Sequence, residues 1–474
     1  MDDYKLFING EWVDTNEKQE VLNKYTQKTY AQVAKASEKE VDQAVGAASY
    51  AYKNHQMSPY KRFEILKRVS ELLKENKESL AQNITHEAGK PLKQARTEID
   101  RASQTFELAA EEAKRIHGEG VPVEAAPGSE NRMAFTIKVP VGVVGAISPF
   151  NFPINLVAHK IAPAIAAGNA VVLKPASKTP TSALKLAELF EEAGLPEGFL
   201  NVVVGSGSTV GNQMMKDPRI NLYTFTGSAE VGLKLKQNTG LNKLVLELGN
   251  NSPVIIDKEA DIEAAAENVA AKSFAFAGQV CISVQRIYVH EEVREEFQQK
   301  FINAIESLKI GDPNDPETDV GPMISEDEAE RAEEWVQEAK GSGAQILYGG
   351  KREGALLYPT ILTDVQPDMK VVCEEIFAPV VSILPFTDIK ECIEAVNESD
   401  YGLQGGIFTQ NIDTAFYAAK NVEVGGLMIN DSSQYRVDLM PYGGVKDSGS
   451  GKEGPKYTIE DMTEERLIVM NLNH

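Results

Sequence analysis

Cysteine is scarce in this chain. Three occur in 474 residues, at 281, 373 and 392, an odd number with no Cys-x-x-Cys spacing, which argues against a disulfide framework or a zinc ribbon and fits a reducing cytosol. No metal site is expected. Positive charge is also short: 48 Lys and Arg face 70 Asp and Glu, a net charge of −22. Such a surface repels phosphate backbones and anionic membranes as bulk partners, though not a small anion held by one or two local arginines. Long apolar runs are missing too. The most apolar region, 139–173, is interrupted by Pro149, Pro153, His159, Lys160 and Pro163, so no membrane span is expected. The first residues, Met1-Asp-Asp-Tyr-Lys, have neither the basic nor the apolar segment of a signal peptide. No internal repeat or low-complexity linker stands out.

What is present is an ordinary globular composition, 42% hydrophobic, long enough for about two to four domains. Residues 6–35 read as short strands and turns, with Asn9-Gly10 as a hairpin signal. From 38 to 116 the pattern is helical: Phe63, Leu66, Val69 and Leu73 share a face, and Ile99, Ala102, Phe106, Ala109, Ala113 and Ile116 recur at steps of 3 and 4. The period then becomes two. Met133, Phe135, Ile137 and Val139 alternate with polar or small residues, and a turn at 127–130 separates them from Val121–Glu124. An isolated two-stranded ribbon is marginal in water, so it should pack on the chain's own last residues, on a second subunit, or on its own domain as an ordinary edge hairpin.

From 141 to 247 strand-like runs (141–147, 170–173, 200–204, 222–225, 244–246) alternate with helical ones, and a second such region runs from about 253 to 445. The fold class expected is α/β: two doubly wound parallel-sheet domains with ligands at the carboxyl ends of the strands, plus a β-ribbon arm.

Several residues carry chemistry, each with a plainer reading beside it. Gly205-Ser-Gly-Ser-Thr-Val-Gly211 is an imperfect dinucleotide fingerprint, since Val210 replaces the third glycine, and reads more simply as a tight turn opening a helix. Phe225-Thr-Gly227-Ser228 joins strand to helix and could meet a phosphate. Lys174 closes an apolar strand, where it could reach a ribose or phosphate oxygen or simply be solvated. Glu247 is an acid in an apolar strand, either a general base raised by burial or half of a buried ion pair. Asn151, between two prolines, is an oxyanion donor or a turn-stabilising side chain. Cys281 is a nucleophile or an inert core thiol. A cysteine hydrolase would need a partner histidine, and none of the six carries a supporting motif.

Taken together, the residues resemble a known family. Pro149-Phe-Asn151-Phe-Pro153, Lys174-Pro-Ala-Ser177, Phe225-Thr-Gly-Ser228, Leu246-Glu247-Leu-Gly249, Gly278-Gln-Val-Cys281, Glu374-Glu375-Ile-Phe377-Ala-Pro379 and Pro441-Tyr-Gly-Gly-Val-Lys446 are similar, in order and spacing, to the NAD(P)-dependent aldehyde dehydrogenases over about residues 5 to 472. The resemblance implies a cofactor domain (1–117 and 139–246), a catalytic domain (247–448) and an oligomerisation arm (118–138 and 449–474), in a homodimer or homotetramer. It implies Cys281 as nucleophile, Glu247 as base for the deacylating water, and Asn151 with the Cys281 backbone N–H as oxyanion hole. Lys174 and Glu375 would bind the riboses, Ser228 (with Phe225 and Gly227 around it) the pyrophosphate, and Phe377 would wall the nicotinamide. Lys160 and Glu464 match positions assigned to proton relay or structural support.

Two departures matter. NAD-selective relatives often carry Glu where Ser177 stands; Ser177 beside Lys178 would not repel a 2′-phosphate, so the cofactor is NADP or NAD, with NADP accepted. Non-phosphorylating glyceraldehyde-3-phosphate dehydrogenases have Arg where Val280 stands. Even so, Cys281-Ile-Ser-Val-Gln-Arg-Ile-Tyr-Val-His290 and Gly444-Val-Lys-Asp-Ser-Gly-Ser-Gly-Lys-Glu-Gly454 most resemble the lactaldehyde and glyceraldehyde-3-phosphate group. Arg101, Arg436 and Ser283 are its candidate substrate contacts, and a small hydroxy- or anionic aldehyde its candidate substrate. A coenzyme A-acylating enzyme and a catalytically silent nucleotide-binding relative are the alternatives; Glu247, the base that acyl transfer without water does not need, argues against the first, and Cys281, Glu247 and Asn151 together argue against the second.

Overall fold

The computed structural model describes residues 2–472. Its first sheet has eight strands, in the order Gly449–Ser450, Lys243–Glu247, Leu222–Thr226, Val143–Ile147, Ala170–Lys174, Leu200–Val202, Leu6–Ile8, Glu11–Val13. The five in the middle are parallel, and their central residues are fully buried, which is why they read as continuous apolar runs rather than alternating ones. Both edges are antiparallel: the Asn9-Gly10 hairpin on one side, with Asn9 and Gly10 both at positive φ, and Gly449–Ser450 on the other. The strand order reverses between Val143–Ile147 and Leu222–Thr226. A crevice opens there at the carboxyl ends, framed by Ser148–Pro153 and Gly227–Ser228.

Helices cover this sheet. Ser37 and Glu40 form a capping box for Glu38–Asn54, and Ser58 with Pro59 starts Pro59–Glu75. Leu92–Ala113 buries Ala95, Ile99, Ala102, Phe106, Ala109 and Ala113, the face expected; Ile116 lies past its end. Asn155–Ala167 is buried on every side and runs through Pro163. That proline interrupts hydropathy but not the helix, and the neighbouring His159 and Lys160 become buried polar groups inside the core.

The second sheet runs Gln345–Tyr348, Thr360–Thr363, Val380–Phe386, Arg286–His290, Pro253–Ile256, Gln404–Phe408, Gly426–Ile429, parallel except for its first strand. Glu247 itself ends a strand of the first sheet, and Gly449–Ser450 pairs with that strand, so the first sheet draws on chain from both sides of the second. The ribbon strand Arg132–Pro140 takes only Gly120–Val121 from its upstream partner, because Pro122 has no N–H to donate; a 3₁₀ turn occupies Val123–Ala125. Its main partner is Thr463–Asn471, in continuous antiparallel register from Thr463↔Pro140 to Asn471↔Arg132. Among the described residues no helix is long and apolar enough to cross a membrane, and no cluster of metal-ligating side chains occurs.

Candidate active site

Cys281 sits on a turn ahead of the strand Arg286–His290, in a loop with an unusual backbone. Phe276, Ala277 and Gly278 have φ of 49°, 53° and 69°. Two consecutive non-glycine residues in the left-handed region are held only where surroundings over-determine them. Here the loop presses against Ala378: a Cβ on Gly278 would lie 2.1 Å from the Ala378 carbonyl oxygen. Phe377, next to it, is itself at φ 50°. Gln279 ties the loop down further, its Oε1 accepting from the Ile324 N–H at 2.8 Å and its Nε2 donating to the Phe276 carbonyl.

A cavity of about 420 Å³ opens beside the thiol, walled by the Pro149–Asn151 turn, Thr226–Ser228, Leu248–Gly249, Glu375, Phe377 and Arg331. It occupies the crevice that the strand-order reversal creates. Asn151 is buried and its Nδ2 donates to the Gln279 carbonyl at 2.9 Å, which leaves the second Nδ2 hydrogen available. Glu247 is buried with no hydrogen-bond partner on either carboxyl oxygen. Burial, with Glu453 nearby, pushes its pKa well above the carboxylate range. Burial also pushes the Cys281 thiol up to about 11, against the opposing pull of a hydrogen bond to Tyr442, whose hydroxyl lies 2.9 Å from Sγ.

The groups expected around a cofactor are divided. Gly227, Ser228, Glu375 and Phe377 line the cavity; Lys174, Ser177, Lys178 and Phe225 do not. Phe225 lies beneath, its ring 2.5 Å from where a Gly227 Cβ would stand. Ser228 caps the helix Ala229–Asn238. Ser177 Oγ donates to the Gly205 carbonyl, and Lys178 Nζ to Ser325 Oγ at the far side. Gly205–Gly211 is a serine-capped turn, with Val210 buried against Gly205. Two observations fit a nucleotide. Lys174 is buried, has only its neighbour's carbonyl at 3.3 Å, and is pulled down to about 8 by burial. Glu375 holds one oxygen on the Asn250 N–H, and burial takes its pKa to about 7.

Behind the thiol lies a buried network that sequence reasoning saw only in part. Arg101 grips Asp438 through two nitrogens, at 3.1 and 2.8 Å; Asp438 meets His159 Nε2 at 2.8 Å; Arg436 Nη2 is 3.2 Å from that nitrogen and 2.9 Å from Glu453; Glu453 meets Lys160 at 3.2 Å, and Lys160 donates to Thr226 at 2.5 Å. Arg436 also stacks over the Tyr442 ring at 3.6 Å. Glu464 is elsewhere: it lies on the outer strand Thr463–Asn471, over half exposed, and pairs with Lys243. The buried acid on Lys160 is Glu453. Ser283 is likewise not at the cavity; its hydroxyl donates to the Ser273 carbonyl. Arg101 and Arg436 do not line the cavity either. Asp438 carried no signal of its own; Tyr442 stood in the family-like run Pro441-Tyr-Gly-Gly-Val-Lys446 with no role attached, His159 showed only as an interruption of an apolar run, and Glu453 offered a weak signal as an acid beside glycine in Gly451-Lys-Glu453-Gly454.

The parallel sheet, its crevice and the polar groups around it define a dinucleotide-dependent oxidoreductase. The sequence matches the model of the Aldehyde dehydrogenase family over residues 12–468, and the chain belongs to that family. It is 57% identical over 469 residues to a 3-sulfolactaldehyde dehydrogenase of Priestia aryabhattai, covering 99% of this chain and 98% of the other. With a lactaldehyde dehydrogenase of Methanococcus aeolicus it shares 41% identity over 471 residues, 98% of this chain and all of the other. Its structure superimposes on that of a glyceraldehyde-3-phosphate dehydrogenase from Methanocaldococcus jannaschii complexed with NADP, with a TM-score of 0.93 and 41% identity, covering 96% of this chain and 100% of that one.

Proposed function

We propose that this aldehyde dehydrogenase oxidises a small aldehyde bearing a hydroxyl or an anionic tail, of the lactaldehyde, sulfolactaldehyde, glyceraldehyde 3-phosphate or succinate semialdehyde type. The observation that carries the anionic half is the buried network behind Cys281. Arg101, Arg436 and Lys160 set three cations against two carboxylates, Asp438 and Glu453, while burial and Arg436 hold His159 neutral. Arg101 lies at the partly exposed edge of this network, and a cation in excess of the carboxylates there favours a substrate that brings a negative charge. Two of the similar proteins are named for aldehydes with a sulfonate or phosphate tail, which supports the anionic half, and one for lactaldehyde, which supports the hydroxyl half.

In this reading the Cys281 thiolate adds to the aldehyde carbon, and the free Nδ2 hydrogen of Asn151 with the Cys281 backbone N–H meets the alkoxide. Lys174, Glu375 and Ser228 would hold NADP or NAD beside Phe377, and the cofactor would supply the hydride acceptor that takes the thiohemiacetal to the thioester. Glu247, with no partner to satisfy, takes a proton from water so that hydroxide attacks the thioester carbon and Cys281 leaves as thiolate. The first sheet and its helices form the cofactor domain, the second sheet the catalytic domain, and the sheet of Arg132–Pro140 and Thr463–Asn471 the oligomerisation arm. Steady-state reduction of NADP and NAD over C2 to C4 aldehydes with and without a carboxylate, sulfonate or phosphate tests it. Preference for an anionic substrate by about tenfold or more in kcat/KM is expected; equal or better turnover of unsubstituted alkyl aldehydes would sink the anionic reading.

A further inference from the structure

Among the described residues the thiol of Cys281 has one side-chain hydrogen-bond partner, and it is a phenol rather than a base. Tyr442 is buried, its hydroxyl is 2.9 Å from Sγ, and its ring carries the Arg436 guanidinium 3.6 Å above it. Arg436 is itself fixed by Glu453 at 2.9 Å. While sulfur holds its proton, either atom can donate in this contact. Once sulfur is a thiolate it can only accept, so the tyrosine must be the donor.

We propose that Tyr442 is a further catalytic residue: it donates a hydrogen bond to the Cys281 thiolate, and Arg436, stacked on its ring, strengthens that donor. The inference rests on Cys281 being the nucleophile. A cation over the ring draws electron density from the phenol and polarises its O–H, and a hydrogen bond to a charged acceptor is stronger than one between neutral groups. Ionisation releases the thiol proton to water, while Tyr442 keeps its own, its pKa held well above the phenol range by burial and by the thiol beside it. The other charged groups facing sulfur are Glu247 and Glu375, both of which oppose a thiolate, and Arg436, which favours it. Against burial and two carboxyls, the hydroxyl and the guanidinium are what the protein supplies on the stabilising side. Glu247 also faces Tyr442, which makes loss of the phenol proton still harder.

The test is the pH profile of Cys281 alkylation by iodoacetamide in the cofactor-free enzyme, read peptide by peptide so that the exposed Cys373 is scored separately. Tyr442→Phe keeps the ring and the stacked cation and removes only the donor. It should raise the apparent thiol pKa by about one unit or more, roughly a tenfold slower alkylation at pH 8, with the Cys373 profile and the melting temperature little changed. Arg436→Gln should move the profile the same way with the hydroxyl intact. A Tyr442→Phe profile that overlays the parent's would overturn the proposal. If instead the parent keeps its turnover after complete Cys281 alkylation, it is the nucleophile reading that fails.

Discussion

Asn151 lines the cavity and donates one Nδ2 hydrogen to the Gln279 carbonyl, and the proposed oxyanion role falls to the other. Truncation to alanine removes the donor without touching the thiol. Asn151→Ala should lower kcat by roughly 10² to 10³ with cofactor affinity unchanged; full turnover in steady-state assays would remove the oxyanion role. Ser177 has its hydroxyl turned back to the Gly205 carbonyl, so nothing anionic guards that turn. Ser177→Glu should cost about tenfold or more in kcat/KM for NADP by like-charge repulsion, and much less for NAD. Equal losses with both cofactors would show that the position does not read the 2′ group. Glu375, carried up to about 7 by burial, binds its proton more tightly in the folded chain than in the unfolded one. The stability it contributes is therefore complete below its unfolded pKa and declines as pH rises towards 7. In melts of the cofactor-free protein, Glu375→Gln should flatten that decline between pH 5 and 7; an unaltered slope would contradict the assignment.

At the scale of elements, the thiol loop is built on contact between two strained segments, Phe276–Gly278 and Phe377–Ala378. Gly278→Ala would place a methyl 2.1 Å from a carbonyl oxygen at a φ of 69°, where neither backbone can yield without moving Cys281 or Phe377. A loss of roughly 2 kcal/mol or more is expected, together with a fall in activity; chemical denaturation and turnover measure the two. Such a loop also marks where sequence stops speaking. The alternating strands and helices were legible because a buried parallel strand must be apolar along its whole length; Asn151, Glu247 and Cys281 each kept a plainer reading beside the chemical one, and their roles came only with the family resemblance. The buried network was not. Glu453 and Glu464 are both acids near the C-terminus, and only the path of the chain beneath Arg436 decides which one is dry. His159 and Lys160 look like interruptions of an apolar run until Asn155–Ala167 proves to be enclosed on all sides. Val280, which stands where some relatives of this kind carry Arg, is packed in the core rather than on the cavity wall.

For the whole molecule, the outer three-stranded sheet leaves apolar side chains bare. Met133 and Met470, paired across the strands, share one face, while Leu467 and Val469 lie on the other; all four are exposed. Uncovered apolar surface on both sides of a small sheet is a feature of interaction surfaces, and the proposed oligomerisation arm would use it to meet a second copy. Met133→Lys combined with Met470→Lys should shift sedimentation towards a smaller species by at least a factor of two in mass while the far-ultraviolet spectrum stays the same. An unchanged assembly would place the interface elsewhere.

The strand Lys243–Glu247 has one last consequence, in the order of synthesis. Its outer neighbour, Gly449–Ser450, lies roughly 200 residues downstream, beyond the entire second sheet. At about 5–20 residues per second, the edge bearing Glu247 would emerge from the ribosome and stay unpaired for roughly ten to forty seconds. An open strand edge is a template for mispairing. The nascent first half must therefore wait, under chaperone cover or behind its own helices, for a two-residue strand to arrive and close it.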